Sequence, residues 1–158
     1  MQGLYRLLLR GYRHLPKSLR RSVIRWIAPT FTAGAMCVIE RPEDGALLLV
    51  RQAYRKFWGC PGGLMRRGEE PADAARREAA EEVGLDVELI SGPLILLDAK
   101  VRRIDVVFRA AVVPPVPDEV SPASGEILEV RWFPRHALPR LQAEVALALR
   151  RLAETEAR

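Results

Sequence analysis

The chain has 158 residues, 49% of them hydrophobic and 28% charged, with a formal net charge of +5. This length suits one domain with a single substantial core, and no apolar run approaches the roughly 20 residues that a membrane-spanning helix needs. Cys37 and Cys60 are too few and too isolated for a disulfide framework or a zinc site, and short apolar runs interrupted by arginines do not read as a signal peptide. Reduced thiols and a cytoplasmic location are the expectation.

The positive charge sits at one end. Residues 1–30 hold seven basic side chains and no acid, leaving 18 basic residues against all 20 acidic ones in the remainder. The body is therefore close to neutral, and a nucleic-acid partner, which calls for a basic face on the domain itself, is not expected.

Residues 1–29 read as a basic amphipathic arm, with short helices over 4–13 and 17–27 broken at Pro16. Packing on the domain or on a partner subunit of a homodimer, peripheral contact with an anionic membrane, and partial disorder all stay open for it. From residue 30 to 158 the pattern is that of one α/β domain. Thr32–Glu40 and Ala46–Gln52 are β-compatible runs around the turn-rich Pro42-Glu43-Asp44-Gly45. Pro71 in a first turn and Gly84 at a C-cap bound a helix over 71–83. Two strands are expected over Val87–Leu97 and Val101–Val113, around Asp98-Ala99-Lys100. A proline-rich loop over 114–125 leads to a strand at Glu126–Phe133, and Pro139 opens a C-terminal helix striped by Leu141, Val145, Leu149 and Leu152.

The chemistry lies in residues 63–85, GLMRRGEEPADAARREAAEEVGL. On the 71–83 helix, Glu78, Glu81 and Glu82 fall at i, i+3 and i+4, so three carboxylates crowd one side. Crowded like charges need a compensator, and a hard divalent cation with oxygen ligands supplies it. Arg77 adjoins the cluster and can pair with Glu81, or with Glu69 folding back from the loop. Gly62 and Gly63 let backbone approach such an ion. A diphosphate ester repels an attacking water and leaves as an anion; a metal ion answers both problems, and a carboxylate takes the proton.

With that spacing the segment resembles a complete Nudix box, G-x5-E-x7-R-E-U-x-E-E-x-G-U with U aliphatic. Gly63, Glu69, Arg77, Glu78, Glu81, Glu82 and Gly84 match its fixed positions, Leu85 fills the last U, and Ala79 fills the first with a smaller residue than usual. The resemblance implies an α/β/α sandwich with a mixed sheet. It also implies a Mg²⁺-dependent pyrophosphohydrolase, with Mn²⁺ as a substitute ion. The implied substrate is a small molecule, a nucleoside diphosphate linked to another moiety such as a nucleoside triphosphate or nucleotide sugar. It implies Glu78 and Glu82 as principal ligands, Glu81 as further ligand or base, Arg77 and Glu69 as their support, and the Gly62 carbonyl on the metal. A catalytically silent Nudix domain that binds ligand as a regulator is the alternative. Arg66 stands where the family often has Glu, so it is a candidate for substrate phosphate instead.

Outside the box, Glu126 is preferred to Glu129 as a late metal ligand or base, because it follows Gly125 in a loop-like setting. Arg51 and Arg55 precede the glycine turn, where cations steer anions. Asp105 breaks an apolar run, with Arg103 and Arg109 on its face, and is counted with Arg51, Arg55 and Arg66 among the substrate-binding candidates. Trp58 and Trp132 are read as packing residues.

Overall fold

The computed structural model describes residues 16–117 and 119–156, in two compact units that divide after Phe31. In the first, α1 (Lys17–Ile27) follows Pro16 and ends at an extended Ala28 before Pro29, as proline geometry dictates. The expected helix over 4–13 lies outside the described residues.

The second unit is one mixed sheet between two helices. Its strands are β1 (Thr32–Glu40), β2 (Leu47–Gln52), β3 (Gly62–Leu64), β4 (Val87–Leu89), β5 (Leu94–Asp98), β6 (Arg103–Val112) and β7 (Ile127–Phe133). The main order is β4-β6-β1-β2-β7, with β3 paired to β1 and β5 paired to β6. The β1–β6 ladder is parallel and runs from Thr32↔Arg103 to Glu40↔Ala111; the other pairings are antiparallel. A parallel pair needs a long crossover, and α2 (Pro71–Val83) lies within it.

Alternation along β1 sorts the core into two layers. Ala35, Cys37 and Ile39 face α2, whose contribution is small: Ala74, Ala75, Ala79 and Val83. Met36 and Val38 join Leu47, Leu49, Val107 and the Val145 and Ala148 of α3 (Ala143–Glu156) on the other face. Alanines bring α2 close to the sheet, so the glutamates on the same helix are held near the strand ends.

Four boundaries depart from expectation. The run 87–97 is broken into β4 and β5 by Ser91-Gly92-Pro93, where Pro93 has no N–H for a ladder, and the two pieces lie end to end along β6. β6 starts at Arg103, because the Asp98 carboxylate accepts the Lys100 and Val101 N–H groups and holds a turn. The C-terminal helix begins at Ala143, not Pro139. Trp58 N–H bonds the Arg140 carbonyl and Gln142 N–H bonds the Trp58 carbonyl, which keeps 140–142 extended. β3, in the glycine turn, was not anticipated. Trp58 and Trp132 do pack in the two cores, Trp58 edge-on to Phe133 at 4.9 Å.

Candidate active site

β3 lies beside β1, and the loop after it leads into α2, so Gly62 and Gly63 face the helix side that carries the glutamates. Arg77 is the hub. Its Nε and Nη2 donate to the two Glu69 oxygens at 2.7 and 3.0 Å, and its Nη1 donates to Glu78 Oε1 at 2.7 Å and Glu81 Oε2 at 3.0 Å. Both partners anticipated for it are engaged at once. Arg66 Nη2 adds a second cation on Glu81 at 2.8 Å, so the unusual arginine of the box holds an acid of the box. Glu69 also caps the loop, accepting the Arg66 N–H at 2.6 Å. Hydrogen bonds from Arg77 and then from the Arg66 N–H hold its carboxyl down at about 2.

Glu82 is different. It is 6% exposed, and it reaches past the helix to accept the Gly62 N–H at 2.9 Å and Gln52 Nε2 at 3.2 Å. Burial pushes its carboxyl up to about 7, with the charges of Glu78 and Glu126 adding to the rise and the two hydrogen bonds opposing it. For Glu81, burial also works upward, but the arginine hydrogen bonds outweigh it and its pKa is lowered. The close approach of backbone to this cluster depends on Gly63: a Cβ there would lie 2.6 Å from Glu78 Oε1.

Glu126, at the foot of β7, completes the group. Glu78, Glu81, Glu82 and Glu126 line one cavity of about 440 Å³, with Arg66, Arg77 and the Gly62–Leu64 backbone. Among the described residues, no hydrogen bond holds the Glu126 carboxylate, and the buried Ser124 hydroxyl on the cavity wall is without a partner. Glu129 lies elsewhere, bonded to Arg51 across the β2–β7 ladder (Arg51 Nε at 3.0 Å) and to Arg131 at 3.0 Å. Arg51 is thus paired away from the acids. Arg55, 3.6 Å from Glu144, and the buried Asp105 lie on the α3 side of the sheet. Arg103 carries a signal in the sequence through the polar face it shares with Asp105; among Gln52, Tyr54 and Ser124, the lone polar Gln52 ending an apolar strand is the one local signal.

A NUDIX domain model matches residues 30–154. The chain belongs to the Nudix hydrolase family. It is 28% identical over 110 residues to the NAD-capped RNA hydrolase ndx-9 of Caenorhabditis elegans, covering 68% of this chain and 29% of that protein. It is 30% identical over 138 residues to the m7GpppN-mRNA hydrolase dcap-2 of the same organism, covering 83% and 17% respectively. The chain therefore spans less than a third of the length of either relative. A Nudix hydrolase structure from Nitrosomonas europaea superposes with a TM-score of 0.68 at 26% identity, over 80% of this chain and 72% of that one.

Nudix hydrolases generally depend on a divalent metal. The donor set suits one. A buried carboxylate pushed upward by burial and by two neighbouring acids is what a cation in that cavity would relieve. Among the described residues no three acidic, His or Cys side chains already converge on a point. Glu78 and Glu81 lean on Arg77 instead.

Proposed function

We propose that this chain is a Mg²⁺-dependent hydrolase of a small nucleoside diphosphate linked to another moiety, with water attacking phosphorus. The supporting observation is the single cavity lined by Glu78, Glu81, Glu82 and Glu126 beneath a glycine loop, with Arg77 as its internal cation. Glu78, Glu82, Glu81 and the Gly62 carbonyl would hold the ion, Mn²⁺ serving as well. Bound there, a divalent cation supplies charge neutralisation of the phosphate oxygens and lowers the pKa of water.

The chain's own groups do the rest. Arg77 orients Glu78 and Glu81 from one side, Glu69 fixes Arg77, and the Gly62 N–H and Gln52 fix Glu82 from the other. Glu126, whose carboxylate has no hydrogen bond among the described residues, accepts the proton of the attacking water. The buried free thiols of Cys37 and Cys60 support placement in a reducing compartment, the cytoplasm.

The test is turnover with Mg²⁺ over nucleoside triphosphates, nucleotide sugars, NAD and dinucleotide caps, for wild type and Glu82→Gln. The variant should lose roughly 10³-fold in kcat. Binding without turnover by the wild type across that panel would sink the hydrolase reading and leave a silent binding domain.

A further inference from the structure

On the α3 side of the sheet a second concave region adjoins the acid cavity. A pocket of about 240 Å³ lies against the glycine loop, and a cleft of about 840 Å³ lies beyond it. Gly62, Gly63 and Tyr54 line both the acid cavity and the pocket, while Arg55, Arg103 and Glu144 line both the pocket and the cleft. The three depressions therefore share walls in sequence, from the glutamates to α3.

Arg103 stands at the second junction in an unusual posture. Its Nε donates to both Asp105 oxygens, at 2.8 and 2.9 Å. Asp105 is 5% exposed, so its charge needs this partner, and the partner is in turn held in place. Among the described residues neither terminal nitrogen of Arg103 has a hydrogen bond. Arg109, on the same strand, shows the purely structural arrangement, spending Nε and Nη2 on the two Glu40 oxygens. Arg103 instead spends one nitrogen and keeps two.

The free end has a definite place. Leu64, Gly34 and Asp105 stand opposite one another across β3, β1 and β6. The space that a side chain at Gly34 would take is bounded by Asp105 Oδ1 at 2.5 Å, Arg103 Nη2 at 3.0 Å and the Gly63 carbonyl at 3.1 Å. The guanidinium thus borders the loop that leads into the acidic box, with its terminal donors unspent and its orientation fixed in advance. Such a fork suits non-bridging phosphoryl oxygens.

We propose that Arg103 binds the substrate's diphosphate at the phosphoryl group farther from the glutamates, with Asp105 as its positioning residue. This rests on the hydrolase reading. The rest of the substrate then occupies the α3 cleft, between Leu96 and Leu147. A monophosphate ester attacked in the acid cavity would leave the terminal nitrogens of Arg103 unused, so the arginine favours diphosphate linkages.

Calorimetric binding of methylenediphosphonate, which cannot be cleaved, in the presence of Mg²⁺ tests this without turnover. Arg103→Ala should weaken binding by roughly 10- to 100-fold, and Arg103→Lys, which keeps the charge on Asp105, by less. Asp105→Asn should also weaken it, and the double variant should be no worse than Arg103→Ala alone, a non-additivity that a merely structural carboxylate would not produce. In turnover with Mg²⁺, KM should rise more than kcat falls. No detectable binding by wild type, or wild-type affinity and KM in both Arg103→Lys and Arg103→Ala, overturns the proposal. Failure of the hydrolase reading looks different: no wild-type turnover on any conjugate, whatever the diphosphonate binding shows. If Arg103→Ala does not fold, Arg103→Lys carries the comparison.

Discussion

Charge is handled in opposite ways in two regions of the domain. Along and beside the sheet four ion pairs match charge with charge: Arg51 with Glu129, Arg109 and Arg135 with Glu40, Arg103 with Asp105. At the end of α2, Arg77 holds Glu69, Glu78 and Glu81, Arg66 assists at the exposed rim, and, among the described residues, Glu82 and Glu126 line the same cavity without a cation of their own. In these pairs along the sheet every acid has its cation. The acid cavity is not so matched, and that shortfall is what a divalent cation and an anionic substrate between them would make good.

The sharpest way to break this comparison is to remove one carboxylate from each region. Glu126→Gln should lower kcat by about 100-fold or more. Glu129→Gln should leave kcat alone and change stability by less than about 1 kcal/mol, since a partly exposed pair contributes little. Equal losses in steady-state kinetics would erase the distinction between the two late glutamates.

Arg77→Ala comes next. Its side chain is 16% exposed and serves three acids, so its loss should cost about 2–3 kcal/mol in urea unfolding, less than for a wholly buried pair. Mg²⁺ should recover part of that loss; no recovery would mean that the cavity does not take the cation's charge. Gly63→Ala should act on geometry rather than charge. Its new Cβ displaces the Glu78 carboxylate, and turnover should drop by roughly 10- to 100-fold with a nearly unchanged melting temperature.

The smallest effect belongs to the core behind the site. Burial pushes the Cys37 thiol up to about 12, and its Sγ donates to the Ala75 carbonyl at 3.4 Å. The unfolded thiol ionises near 9 while the folded one stays neutral. Its stabilising contribution is thus complete below pH 9 and is lost as pH rises from 9 toward 12. Folded protein at pH 8 should resist iodoacetamide at this position, and rapid labelling would refute a closed core there.

Much of this was legible in the sequence because it is local. Pro71, the i, i+3, i+4 glutamates and Gly84 specify a helix and one acidic side of it through backbone geometry alone, and the observed α2 has those bounds. The apolar, β-compatible run 32–40 and the strand expected over 126–133 likewise match β1 and β7 to within a residue. Boundaries set by distant partners were not legible: the start of α3 depends on Trp58 pinning residues 140–142, and the split of β4 from β5 depends on where each meets β6.

The same division runs through the site. The order of residues 63–85 determined the acids, the arginine and the glycine loop, since all lie within a few turns of one another. Only the tertiary structure decided that Glu126 joins them and Glu129 does not, that Gln52 secures Glu82, and that Arg51 is paired elsewhere. It alone put Arg103 beside Gly63, because these residues come from strands 40 positions apart that meet across Gly34, and register between strands is a property of the whole sheet.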